Sequence, residues 1–423
     1  MSLPASADIV IIGAGAAGLA AARTLAGRPL TVVVPEARDR IGGRAWTLPF
    51  EGQGLDMGCG WLHSADENPL AARVEPAGLT LDRTPPPWQS QAFNHETSDA
   101  EIAGFRAAFD AFDQRIAEAA AHGQEGPAST LMEPGGRWNG RMDAISGALN
   151  GARFAEVSIL DYDAYRDTGV NWRVREGYGR LIETLGRPVP VVTDCPVRRI
   201  DHTGPALKLT TDRGGIEART VIVTVPTDLI ARETLTFDPP LPALVEAAAH
   251  VPLGLASKLH MSVTGADDFP PDSQLWGRTD TADTGGYHLR PFGRSMIEGY
   301  YGGDLARGLE AEGQEGFHAF AVDELVHLLG SDMRKRLSPV VATLWGADPW
   351  SRGAYSHALP GHAGDRKTLK VPVENRIFLA GEATAEAFYG TAHGAWMEGE
   401  RAAREALAAL GLDPGPAPGD VEE

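Results

Sequence analysis

Cysteine is nearly missing from this chain: Cys59 and Cys195 are all there is in 423 residues. Two thiols give no disulfide framework, so the expected compartment is the reducing cytoplasm. Basic residues are also in deficit, 38 against 57 acidic ones, for a formal net charge of −19. That balance argues against nucleic acid and against anionic membrane surfaces, while it is compatible with attracting cationic small molecules. No uninterrupted apolar run approaches the roughly 20 residues that a bilayer span requires. The first strand begins by Asp8, which leaves no room for a basic region, an apolar stretch and a cleavage site. There is no internal repeat, and Leu412 to Glu423 form a polar, Pro-rich, acidic tail. With 43% apolar residues, a chain of this length can bury more than one core, so two or three domains are expected.

The strongest positive feature lies at the start. The apolar run Ile9-Val10-Ile11-Ile12 leads into a G-x-G-x-x-G turn at Gly13, Gly15 and Gly18, then an alanine-rich helix, then the run Leu30 to Val34 closed by Glu36. Gly13 permits the tight turn, Gly15 lets the backbone approach a pyrophosphate, and Gly18 lets helix and strand pack closely. The phosphates sit on the helix N-terminus, where free N–H groups and the dipole favour anions. Glu36 accepts from the ribose hydroxyls and repels a 2′-phosphate, so NADP is disfavoured. The motif by itself leaves NAD and FAD both open. No metal-ligating set is expected.

After this β-α-β unit, the Pro-rich stretch Thr84 to Trp88 breaks regular structure. Ile102, Phe105, Phe109, Phe112 and Ile116 then mark an amphipathic helix within Asp99 to His122. Short strands are expected at Val197 to Ile200, Ala206 to Thr211 and Thr220 to Pro226. A further strand is expected at Ser257 to Val263, and a final helix from about Gly394 to Leu410. In the strand, Leu259, Met261 and Val263 share one face, and Lys258, His260 and Ser262 share the other. A solvated outer-face lysine gives the same pattern.

The segment Glu36-Ala37-Arg38-Asp39-Arg40-Ile41-Gly42-Gly43-Arg44 resembles the second fingerprint of the flavin-dependent amine oxidase family, an acid followed by R-x-G-G-R. Phe378-Leu379-Ala380-Gly381-Glu382-Ala383-Thr384 resembles that family's F-x-A-G-E-x-T strand end. Trp345 to Ser356 resembles its W-x-x-D-P-x-x-x-G-x-Y-[ST] segment. The resemblance runs in order along nearly the whole chain. It implies an α/β plus α+β architecture: a Rossmann-like FAD-binding domain of the GR2 type at 1–83, 190–239 and 343–423, interleaved with a substrate domain of mixed sheet and helices at 84–189 and 240–342. FAD is the implied cofactor. Arg40 and Arg44 are suited to neutralising its diphosphate, and Glu382 would reach its ribityl region. Ala17, Ala37, Arg38, Gly42, Gly43, Gly58, Trp61, Val197, Trp345, Trp350, Gly381, Thr391 and Ala392 complete the implied cofactor set. Ala354 stands where monoamine oxidases carry the cysteine that bonds to flavin, which implies noncovalent FAD.

The same resemblance implies an amine oxidoreductase with three catalytic positions. Lys258 matches a lysine hydrogen-bonded through water to flavin N5, where desolvation is expected to make it titrate low. Tyr355 would flank the substrate amine, and His63 would line the tunnel. Leu55 to Leu70, with Trp61, His63 and Asn68-Pro69-Leu70, is similar to the run of polyamine oxidases, as is Gly390 to Trp396. Thr391 replaces the second aromatic of the monoamine oxidases. A polyamine such as spermine or spermidine, with oxygen as acceptor, is therefore the first expectation. A secondary or cyclic amine of the nicotine type is the enzymatic alternative, and a non-catalytic FAD-binding module is the alternative from another class.

Overall fold

The computed structural model describes residues 3–89 and 98–415. Positions 416–423 of the acidic tail, and 90–97 of the expected substrate segment, lie outside the described residues. The chain forms two compact units, each assembled from separated stretches: Met1–Trp46, Gly179–Val251 and Gly364–Glu423 in the first, and Thr47–Tyr178 and Pro252–Ala363 in the second.

The first unit is built on the strand Ser6–Ile12. It is buried on both faces, as its unbroken Ile and Val run requires of a parallel strand covered by helices. It pairs in parallel with Val32–Pro35 on one side and Gly214–Val223 on the other, in the register Ile9↔Val32 and Ile12↔Val223. Ile377–Leu379 adds a further parallel strand against Gly214–Val223. An antiparallel meander of Val197–Asp201, Leu207–Thr211 and Gly214–Val223 extends the same sheet. The helix Ala16–Leu25 packs closely on the helix Ala392–Ala409. A Cβ added at Gly399 would lie 2.0 Å from the Ala17 carbonyl oxygen, so this crossing tolerates no side chain there.

The second unit carries a five-stranded antiparallel sheet in the order Ser273–Trp276, Gly286–Leu289, Met296–Gly302, Ala256–Val263, Leu337–Ala342. The helix Asp99–Ala121 starts at a capping box in which Ser98 and Glu101 satisfy each other's backbone N–H. Its face Phe105, Phe112 and Ile116 buries against Phe154, Ile159 and Trp276, and Ile102 and Phe109 flank that cluster. The expected period is therefore the one that packs.

These units divide the chain at positions other than those the motifs suggest. Residues 47–83 and 343–363 belong with the second unit, because Asp56 is tied to Tyr178 and Lys258, and the Trp345 indole to the Met57 carbonyl. The helix Pro242–His250 packs on Thr227–Ala231 and belongs with the first. Among the described residues, no helix is long and apolar enough to cross a membrane.

Candidate active site

In the first unit the glycine turn is built for close approach. Gly13 has φ +101°, and a Cβ on Gly18 would fall 1.9 Å from the Gly13 carbonyl oxygen. Gly15 is the N-cap of the helix Ala16–Leu25 and offers it no side-chain cap, which suits the first-turn N–H groups to an acceptor from outside the helix. Gly42 donates its N–H to the Ala14 carbonyl, and a Cβ on Gly43 would come 3.2 Å from the Gly15 Cα. The two glycine segments thus line one bare backbone cradle. Glu36 is 4% exposed; its two oxygens accept from the Ala14 N–H at 2.6 Å and the Arg38 N–H at 2.9 Å. Each oxygen keeps a further lone pair for a ribose hydroxyl. Ala37 follows it at the strand end, and Val197 is core in the neighbouring meander.

The Arg40 guanidinium donates to the Gly43 carbonyl at 2.8 Å and lies 4.4 Å from the Trp46 ring centroid, contacts that brace the loop. Arg44 pairs with Glu382 at 3.0 Å, and Glu382 also accepts from the Gly390 N–H, next to Gly381 at the strand end. Thr391 caps the helix Ala392–Ala409, accepting from the Gly394 N–H and donating to the Phe388 carbonyl. An anion cradle, a buried ribose acceptor and an arginine-balanced acid together fit an FAD diphosphate and ribityl chain.

In the second unit, Lys258 lies on the interior strand Ala256–Val263, which is covered on both faces, so the outer-face alternative is excluded. Lys258 is 6% exposed. Its ammonium donates to Glu298 Oε1 and to the Asp56 carbonyl, each at 3.0 Å. The expectation of a low-titrating lysine is corrected here. Burial pulls Lys258 down, but the Glu298 carboxylate, with Tyr300 and Asp56, outweighs it and pushes Lys258 up to about 12. Burial would raise Glu298; Lys258 and the neighbouring histidines hold it down to about 2. Burial lowers the pKa of His260, which is 2% exposed.

Tyr355 opens the short strand Tyr355–Ser356, where Ala354 pairs through its backbone with Gly254. Its hydroxyl donates to the Ala148 carbonyl and lies 3.2 Å from the Tyr300 hydroxyl. His63 Nδ1 is 2.6 Å from the Asn171 side-chain oxygen, which fixes the ring, and burial lowers its pKa. Trp61 packs edge-on against Trp88 at 4.4 Å, and the Arg173 guanidinium lies 4.9 Å from its ring. Trp345 donates to the Met57 carbonyl beside Gly58, and the Trp350 N–H donates to Asp348.

A cavity of about 40 Å³ adjoins Lys258, lined by Asp56, Trp61, Arg173, His260, His288 and Glu298 among others. At roughly 10–15 Å³ per water it has room for a few. Glu298, Tyr300 and His288 escape the sequence analysis. They reach Lys258 only through the registers Lys258↔Tyr300 and His288↔Glu298, and the one signal is that Glu298 and Tyr300 alternate with Ile297 and Tyr301.

The profile of the flavin-containing amine oxidoreductase family matches residues 16–121 and 123–407. Polyamine oxidase 2 of Arabidopsis thaliana is 28% identical over 444 residues, covering 95% of this chain and 88% of its own length. Putrescine oxidase of Kocuria rosea is 28% identical over 475 residues, 96% of each. Cyclohexylamine oxidase from Brevibacterium oxydans superposes with a TM-score of 0.76 at 21% identity, over 96% of this chain and 99% of that one, and so shares the fold. The chain belongs to the flavin-containing amine oxidoreductases, and FAD, which Ala354 leaves without a cysteine to bond to, is its cofactor.

Proposed function

We propose that this enzyme oxidises a polyamine, with spermidine and spermine as the leading candidates. One secondary amine, one oxygen molecule and one water become one aldehyde, one primary amine and one hydrogen peroxide, and the bond broken is that between the nitrogen and the oxidised methylene carbon. The observation that carries the choice is Thr391. Where monoamine oxidases place a second aromatic beside the substrate, this side chain is spent on both sides as a helix cap. A cage for a small aromatic monoamine therefore lacks one wall. The end-to-end similarity to polyamine and putrescine oxidases, and an acidic surface that attracts polycations, support the same substrate class.

Bound FAD supplies the two-electron oxidant. Gly13, Gly15, Gly18 and the helix Ala16–Leu25 would hold its diphosphate, Glu36 its adenosine ribose, and Glu382 with Arg44 its ribityl side. The positive end of the helix Ala392–Ala409 would stabilise the negative charge that the ring gains on reduction. Lys258 holds a proton on a fixed ammonium. Tyr355, steadied by Tyr300, orients the uncharged amine, and His63, neutral and anchored by Asn171, lines the substrate path.

Peroxide formation by the FAD-loaded protein, measured with spermidine, spermine, putrescine, benzylamine and cyclohexylamine, tests the reading. Turnover of the polyamines above the monoamines is expected. Turnover of cyclohexylamine or benzylamine alone would overturn it.

A further inference from the structure

We propose that Glu298 is the positioning residue that holds Lys258 as a fixed ammonium facing the cavity it lines, so that Lys258 serves as a cation and hydrogen-bond donor rather than as a base. An ammonium has three N–H groups. Glu298 and the Asp56 carbonyl take two of them at 3.0 Å each, which leaves one for the cavity that Lys258 lines.

The groups around Lys258 single out Glu298, because the other carboxylates have different commitments. The Asp56 carboxylate accepts from the Thr47 hydroxyl at 2.6 Å and the Tyr178 N–H at 2.9 Å. Asp272 is held by Arg173 at 2.8 Å, by His288 at 3.2 Å and by the Phe292 N–H. Asp82 is held by Arg173 as well. The cations are equally engaged: Arg173 sits between two aspartates, and Arg294 donates to the Gly54 and Arg175 carbonyls. Tyr300 presents its ring 5.9 Å from the ammonium and its hydroxyl to Tyr355. His260, the other titratable group on the lysine's strand, sits 3.9 Å from Glu298 with Nε2 unpartnered among the described residues. Among the described residues, Glu298 is therefore the one carboxylate on this face whose principal partner is Lys258.

The positional claim stands on the second unit alone; only its kinetic consequence rests on the amine oxidase reading. The test is competitive acylation of the FAD-loaded protein with acetic anhydride across pH, read by peptide mass spectrometry. Exposed Lys208, Lys335 and Lys367 serve as internal references. The midpoint of Lys258 labelling is read, since altered access changes the amplitude and leaves the midpoint in place. In the parent protein the midpoint is expected above the ordinary lysine value of ~10.4. In Glu298→Gln it is expected to fall by more than about one unit, a tenfold change in the neutral fraction at a given pH. Glu298→Asp, which keeps a carboxylate, retains a raised midpoint, and it provides the comparison if the glutamine variant does not fold. The alkaline limb of kcat moves with the midpoint while KM does not. A Lys258 midpoint unchanged in Glu298→Gln, or an aspartate variant with the ordinary lysine midpoint, would overturn the proposal, whatever amine the enzyme turns over.

Discussion

At the residue scale, Lys258 carries the account of the second unit, and the contacts around it make its substitution informative. Lys258→Met removes the ammonium but retains an apolar stem of similar length, and the partners it loses, Glu298 and the Asp56 carbonyl, both belong to the second unit. The variant is predicted to retain FAD at parental stoichiometry and to reoxidise slowly after anaerobic reduction. Stopped-flow reoxidation at the parental rate would remove Lys258 from the chemistry. Gly60 is a subtler probe, because a Cβ there would lie 3.1 Å from the Lys258 ammonium nitrogen and 3.5 Å from the Asp56 side chain. Gly60→Ala should displace the flexible end of Lys258 by a few tenths of an ångström and lower turnover without unfolding the protein, which steady-state kinetics beside a thermal melt will show. Much of this cluster was hidden in the sequence. Lys258 could be singled out by its motif, but Glu298 and Tyr300 stand about forty positions downstream, and only the antiparallel register sets them beside it. The direction of the lysine's titration went with them: desolvation alone argues for a low value, and the partner that reverses it has no local signature.

At the scale of elements, the turn and the strand that carries Lys258 behave differently as sources of information. The strand, turn and helix around Gly13, Gly15 and Gly18 were legible because each glycine answers a local requirement of backbone or packing. Gly18→Ala places a methyl against the Gly13 carbonyl oxygen, 1.9 Å away in the parent geometry, and forces helix and strand apart. FAD content after purification is predicted to fall sharply, and normal content would show that the turn is not the cofactor's seat. Ser257 to Val263 was legible as a strand from its alternation, yet not as a buried one. The strands that cover its edges, Met296–Gly302 and Leu337–Ala342, come from distant sequence.

The ion pair between the adjacent strands Ala256–Val263 and Met296–Gly302 also gives the fold a pH signature. Glu298 is held below its ordinary 4.5, at about 2, so its contribution is present above the ordinary carboxylate range and is lost as pH falls through the lowered value. Lys258 is held above its ordinary 10.5, at about 12, so its contribution is full below the ordinary lysine range and is lost as pH rises through the raised value. The pair should therefore support stability evenly between the two ordinary values. Denaturation midpoints of parent and Glu298→Gln against pH should differ most in that plateau and converge at both extremes; a constant difference would contradict the pairing.

At the scale of the whole molecule, the interleaving of two units was readable in outline, because the nucleotide motifs sit at both ends with apolar, helical segments between. The positions of the divisions were not. Residues 47–83 carry cofactor-type motifs, which group them with the nucleotide domain, whereas packing assigns them to the unit that holds Lys258. A motif reports what a segment binds, and compactness depends on what it packs against. The acidic excess, −19 over the chain, belongs to this scale too, as a long-range attraction for cations that no single site accounts for.

The central claim is that the glycine cradle of the first unit seats FAD and that an amine can reduce it. Anaerobic titration of the purified protein with spermidine, followed in the visible flavin band, tests it most directly. The account predicts a yellow protein with one FAD per chain, released intact on denaturation, whose band bleaches stoichiometrically with the amine. A colourless protein that takes up no FAD, or a bound flavin that neither polyamine nor monoamine bleaches, would contradict it.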